Sequence, residues 1–166
     1  RPGGSTRGMA GSASAEASLA AVRMLEAGGN AVDAAVAAAL ALGSTDPGGS
    51  GLGGQTWMVV RLASGVERAI FCPARAPMRY DAGRLRAARR GSELWGPMAA
   101  AAPTTLATLD HALRTYGSLP FATVVQPAIE AAEAGYAIQD FERSFLDDYK
   151  PRLFDSDLLL PVFLTG

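Results

Sequence analysis

Hydrophobic positions recur with a helical period through the first third of the chain and with an alternating one just beyond it. Leu19, Val22 and Leu25 predict a first helix from about Ser14 to Ala27 with those three side chains turned inward. Val32, Val36 and Leu40 predict one face of a second helix, in which alanine fills most other positions. A helix with so little bulk can lie very close to a sheet or to another helix. Gly28 and Gly29 close the first helix, since glycine accepts the left-handed turn without steric penalty. Asn30 is placed to cap the second, with Asp33 completing an approximate capping box.

Strand patterns follow. Thr56 to Leu62, rich in Trp57, Val59 and Val60, and Val66 to Phe71 predict two strands joined by a hairpin turn at Ala63-Ser64-Gly65. Gly8 to Ser12 reads as another short strand, and Arg84 to Arg90 as helical. Pro103 opens a helix carrying Leu106, Leu109 and Leu113, which stops at Gly117. Phe121 starts a further helix that Pro127 must break, kink or restart. Ile138 to Tyr149 is a last helix, ended by Pro151. These elements predict an α/β (α+β) fold. Pro, Gly and Ser sit in short connections, so residues 1–166 read as one domain.

Composition narrows the function classes. A chain that is 49% hydrophobic and 19% charged is long enough for one core. A net charge of −1 gives no pull toward nucleic acid or an anionic membrane. Ala31 to Leu42 is too short to span a bilayer and is interrupted by Asp33. Cys72 stands alone, which rules out an internal disulfide framework, and with one histidine a His/Cys zinc site is excluded. No metal and no cofactor are expected. There is no basic-then-apolar leader, Arg1 reads as a trimmed beginning, and the compartment stays open.

Three constellations bear on chemistry. Gly49-Ser50-Gly51-Leu52-Gly53-Gly54 is a formal GxGxxG, but a dinucleotide loop needs a strand before it and a helix after it. Here the order is reversed, so the run reads as a tight helix-to-strand turn where side chains would obstruct close backbone packing. Arg75, Arg79, Arg84, Arg86, Arg89 and Arg90 form a basic cluster with only Tyr80 as an aromatic neighbour. A solvated face accounts for it better than a nucleic-acid patch. His111 lies off the Leu106/Leu109/Leu113 stripe, and the adjacent Asp110 points elsewhere on a helix. It reads as an ordinary helix residue, without the nucleophile and orienting acid that catalysis needs.

Several ordered elements together resemble the gamma-glutamyltransferase family. Gly28-Gly29-Asn30-Ala31-Val32-Asp33-Ala34-Ala35-Val36-Ala37 is similar to the opening G-G-N-A-x-D-A-A-V-A of its large subunit. Asp46-Pro47 and Ser50-Gly51-Leu52-Gly53-Gly54 are similar to its E/D-P and S-G-x-G-G. Gly8-Met9-Ala10 resembles the G-M-V-A-S start. Tyr116-Gly117, Gln126-Pro127-Ala128-Ile129, Ala132 and Gly135 resemble Y-G…PAI-x-x-A-x-x-G. Val162-Phe163-Leu164 is a looser likeness at the end.

The resemblance implies half of a layered αββα Ntn-hydrolase sandwich, completed by a second chain. It implies a precursor that cuts itself and frees a threonine at the new N-terminus of a small subunit. That threonine attacks an amide carbonyl, with its own amine as general base. No catalytic residue falls in this chain, since Thr6, Thr45 and Thr165 are internal and lack the free amine. The expected partners are that small subunit and a small gamma-glutamyl or acyl-amide substrate. The family also implies a periplasmic or secreted location, without excluding the cytoplasm. Without its partner, the Thr56 to Leu62 strand is expected to be an unpaired edge.

At one position the chain departs from the family pattern. The family grips the substrate's alpha-carboxylate with the arginine of R-E-x-A-P. Aligning Ala76-Pro77 puts Pro73 at the arginine position and Ala74 at the glutamate position. Arg75 lies two residues later, and in an extended segment that returns to the same face. Arg75 is therefore the one substrate-binding residue expected here. The departure keeps two other readings open: an acylase or small-amide hydrolase on the same scaffold, and a non-catalytic, family-derived binding module.

Overall fold

Two alanine-rich helices, α1 (Ala15–Glu26) and α2 (Ala31–Thr45), pack along each other in opposite directions. The Ser14 Oγ, which caps α1 by accepting from the Ala17 N–H, lies 2.7 Å from Thr45 Oγ1 at the far end of α2. The turn between them follows the glycine signals. Gly29 N–H donates to Met24 C=O and Gly28 N–H to Leu25 C=O, with Gly28 at φ 85°, a Schellman closure. Asn30 and Asp33 form the full capping box at the start of α2.

The computed structural model describes residues 8–88 and 99–154. Beyond α2 come β1 (Thr56–Arg61), β2 (Glu67–Cys72), α3 (Ala82–Ala88), α4 (Thr105–Tyr116), α5 (Phe121–Ala134) and α6 (Asp140–Phe154). β1 and β2 form an antiparallel hairpin in which Thr56 pairs with Cys72 and Arg61 with Glu67. One core joins α1, α2, α4, α5 and the inner face of the hairpin, with Val36, Leu109 and Val124 wholly buried. Each such side chain contributes about 1.5–3 kcal/mol on burial.

Asp33 fastens the helices at a distance. Its buried carboxylate accepts from the Asn30 N–H, from the N–H and hydroxyl of Ser118, and from the Leu119 N–H. Burial alone would raise its pKa, but the hydrogen bonds from Ser118, Leu119 and Asn30 outweigh that and leave it below the ordinary carboxylate value.

Several expectations are corrected. Gly8 to Ser12 is irregular, with no strand to pair it among the described residues, and the Ser12 hydroxyl bonds instead to Ser14 C=O and Ser18 Oγ. In α1 the inward residues are Ala17, Ala20, Ala21 and Met24, while Leu19 is 62% exposed and Val22 and Leu25 are half-buried. The reason is close approach: helix spacing depends on the side chains at the contact, and alanine faces let α1 and α2 come together. Leu106 is likewise exposed on α4, whose hydrophobic core residues are Leu109, Ala112 and Leu113. α5 is neither broken nor restarted at the buried Pro127, and α6 continues through Pro151 to Phe154. Each proline removes one backbone donor, a cost the flanking turns absorb.

Candidate functional site

The hairpin ladder stops where proline removes its donor. Thr56–Cys72 is the last pair, and continuing the register would set Gln55 opposite Pro73, which has no N–H. The Gln55 side chain reaches one residue further and accepts from the Ala74 N–H at 2.9 Å. Beyond it Arg75 is extended and pairs with Ala102: the Ala102 N–H donates to Arg75 C=O at 2.8 Å and the Arg75 N–H to Ala102 C=O at 3.4 Å.

The entry to α4 closes the arrangement. Gly54 C=O accepts from the Thr104 N–H at 2.9 Å and from the Thr105 N–H at 3.3 Å. The Thr104 hydroxyl donates to Cys72 C=O, and that of Thr56 to Thr105 Oγ1 at 3.1 Å. Three separate stretches, 54–56, 72–75 and 102–105, are thus tied together by hydrogen bonds. Beside them residues 48–51, 53 and 54 of the glycine run, with Pro47, Gln55, Thr56, Thr105, Ala39 and Leu42, wall an open cleft of about 650 Å³. Asp46 holds the start of the run by accepting from the Gly49 and Ser50 N–H groups on its carbonyl and from the Ser50 hydroxyl on its carboxylate.

Arg75 is exposed, one residue along from the amide that Gln55 holds. Its extended backbone satisfies the condition for sharing a face with position 73. Arg79, Arg84 and Arg86 are exposed as well, as a solvated face requires, while Arg89 and Arg90 lie outside the described residues. His111 is exposed on α4, and its neighbour Asp110 pairs with Arg114 at 2.8 Å. Thr45 is buried, with its hydroxyl donating to Ala41 C=O. Thr6 and Thr165 lie outside the described residues, as does Val162-Phe163-Leu164. No group of three or more metal-ligating side chains occurs among the described residues.

The glycine run does join a helix to a strand, which is the reverse of a dinucleotide loop. Its expected crowding is only partly found. A Cβ at Gly49 would meet Asp46 Oδ2 at 2.7 Å, but at Gly51 and Gly53 nothing lies within 4 Å. Close packing among the described residues does not account for those two glycines.

Sequence reasoning missed Gln55, Thr104 and Thr105. A signal for Gln55 existed in the proline across the hairpin, which ends the ladder and leaves the following N–H, that of Ala74, outside it. None existed for the two threonines, because their partners lie 32 to 51 residues away in the chain.

The second notable surface is the outer face of the hairpin. Trp57 and Phe71 are cross-strand partners with ring centroids 4.9 Å apart, and both are exposed. Val59, at 80% exposure, continues the same face, while Met58, Val60 and Ile70 pack inward. A groove of about 380 Å³ also runs along β1 beside the start of α2, lined by Asn30, Val32, Ala35, Val59 and Arg61 among others.

Comparison with known proteins gives a consistent result. The family profile for gamma-glutamyltranspeptidase matches residues 17–165. The glutathione hydrolase proenzyme of Escherichia coli (strain K12) is 36% identical over 148 residues, which is 87% of this chain and 25% of that protein. The acylase ACY 1 proenzyme of Pseudomonas sp. (strain SE83) is 34% identical over all of this chain and 32% of its own length. The crystal structure of Helicobacter pylori gamma-glutamyltranspeptidase superposes with a TM-score of 0.87 at 28% identity, covering 100% of this chain and 49% of that one. The chain thus spans about a quarter to a third of the curated relatives it matches. Its mixed α/β structure corresponds to part of the gamma-glutamyltranspeptidase fold. No helix among the described residues is long and apolar enough to cross a membrane.

Proposed function

Because the chain belongs to the gamma-glutamyltranspeptidase family, we propose that it is the N-terminal part of the large subunit of an Ntn amidohydrolase. It forms one domain and contributes half of an αββα sandwich. Its partner is a small subunit, released by self-cleavage, whose N-terminal threonine is the nucleophile. The threonine Oγ forms an ester with the acyl carbon, its α-amine takes the proton, and the amide C–N bond breaks to release the amine. Backbone donors hold the tetrahedral oxyanion, and water or an acceptor amine then takes the acyl group.

This chain's part is to hold the acyl group. The observation that carries the reading is the placement of Arg75: exposed, bridged to Ala102, and next in the chain to Ala74, whose N–H is held by the cleft-lining Gln55. A guanidinium there meets an acid group of the acyl chain with two parallel N–H donors. The gamma-glutamyl group is one such acyl chain.

The bare outer face of the hairpin supports the partner. A two-stranded hairpin is marginal alone, and aromatic side chains on a bare face are suited to burial against a second layer. Without that layer the chain is inactive.

A second reading has its own support. Pro73 and Ala74 stand where the family's arginine and glutamate are expected, and an acylase relative matches the whole chain. On this reading the enzyme is an acylase or small-amide hydrolase that takes acyl groups other than gamma-glutamyl.

The test is intact mass and N-terminal sequencing of the purified full-length gene product, followed by assay on a gamma-glutamyl anilide and on simple acyl anilides. A second chain beginning with Thr and turnover of either substrate class support the amidohydrolase. An uncut polypeptide without turnover overturns it in favour of a binding module.

A further inference from the structure

The segment that carries Arg75 has few backbone ties of its own. Pro73 offers no N–H, and the bridge to Ala102 is short at the Arg75 carbonyl, 2.8 Å, but long at the Arg75 N–H, 3.4 Å. The Ala74 N–H is the short donor in the run, and what it meets is a side chain, the Gln55 carboxamide, at 2.9 Å. Gln55 in turn sits between Gly54, whose carbonyl is clamped by Thr104 and Thr105, and Thr56, the first residue of β1. It is therefore anchored on both sides, and its side chain adds a tie between the two that the segment has at Cys72 and Arg75.

We infer that Gln55, which itself lines the glycine cleft, is a positioning residue for Arg75, fixing the backbone that carries the guanidinium through the Ala74 amide. The inference rests on the proposed role of Arg75 in holding an acid-bearing acyl group. Chemically, the position needs an acceptor for one N–H at a side-chain length of four heavy atoms beyond Cα. Glutamate keeps that acceptor; asparagine is one methylene short, and alanine removes it. Gln55 is exposed, so none of these changes disturbs the core.

The experiment compares Gln55→Ala, Gln55→Asn, Gln55→Glu and Arg75→Ala in the full-length, processed enzyme. Each is assayed on two acyl anilides of equal length, one ending in a carboxylate and one in a methyl group. Arg75→Ala should raise KM for the acid-ended substrate about tenfold or more and leave the neutral one within twofold. Gln55→Ala and Gln55→Asn should raise KM for the same substrate several-fold with kcat within twofold, and Gln55→Glu should restore at least half of the lost affinity. If Arg75→Ala shows the selective loss and Gln55→Ala does not, the positioning role is overturned and the Arg75 reading stands. If Arg75→Ala leaves both KM values unchanged, the underlying reading fails, and the inference with it. Equal losses on both substrates in Gln55→Ala, without rescue by Gln55→Glu, would mark a general structural role and also overturn it.

Discussion

Asp33 and Ser118 lie 85 residues apart, yet the Asp33 carboxylate takes both the backbone N–H of Ser118 at 2.9 Å and its hydroxyl at 2.6 Å. The same carboxylate caps its own helix, so one buried side chain joins the start of α2 to the link between α4 and α5. Its folded-state pKa is lowered, so its contribution is present above the unfolded value near 3.8 and is lost as pH falls through the folded pKa. Asp33→Ala should cost about 3 kcal/mol, since the amides of Asn30, Ser118 and Leu119 lose a charged acceptor together. Asp33→Asn should cost somewhat less and should flatten the decline in stability below pH 4. Denaturant unfolding of the full-length protein across pH 3 to 7 reads both effects, and a variant as stable as wild type at pH 7 would remove Asp33 from the list of anchors.

Gly117 and Gly51 should respond oppositely to the same substitution. A Cβ at Gly117 would lie 2.6 Å from Leu113 C=O and 2.7 Å from Asp33 Oδ1, and a backbone carbonyl inside α4 cannot move away. At Gly51 nothing lies within 4 Å. Gly117→Ala should destabilise by about 2–3 kcal/mol through overpacking. Gly51→Ala should stay within about 0.5 kcal/mol in folding terms. Thermal unfolding of the two variants side by side is the check, and equal shifts would contradict the packing argument.

How much of this was legible in the sequence depended on how local each signal was. The capping box at Asn30 and Asp33, the Gly28–Gly29 closure and the Ala63-Ser64-Gly65 hairpin turn involve neighbours, and all three are found in place. The inward face of α1 was misread because hydrophobicity favours Leu19, while the requirement for close approach to α2 favours Ala17, Ala20 and Ala21. Asp33's second set of partners could not be seen, because nothing in a capping pattern points to a loop 85 residues on. Arg75 is a candidate from its spacing to Pro73 alone, whereas Gln55, which holds its segment, is singled out by the hairpin register that sets it opposite a proline.

The outer face of the hairpin carries the prediction about assembly. Trp57, Val59 and Phe71 are exposed together on a sheet whose other face is already packed. Val59→Lys should leave the inner face and the α1–α2 pair untouched while placing a charge in the middle of the proposed second-layer contact. In the full-length product it should abolish or slow self-cleavage and yield aggregated or uncut material on size exclusion. Arg61→Ala, at the end of the strand beside the exposed Arg61–Glu67 pair, should behave as wild type. Normal processing of Val59→Lys would show that this face stays in solvent.

Pro73 offers the sharpest division between the two substrate readings. It occupies the position where the family's arginine is expected, and it ends the β1–β2 ladder. Pro73→Arg with Ala74→Glu restores the family pattern and returns one backbone donor to the segment. A gamma-glutamyl enzyme that relies on Arg75 already has its guanidinium, so a second one should crowd the site and lower kcat/KM for a gamma-glutamyl anilide. An acylase should instead gain activity on that anilide, by about tenfold or more, since one bidentate carboxylate contact is newly made. Simple acyl anilides serve as the internal reference, because neither reading assigns them a guanidinium contact. The direction of the change in the ratio of the two kcat/KM values therefore decides which acyl group the cleft was built to hold.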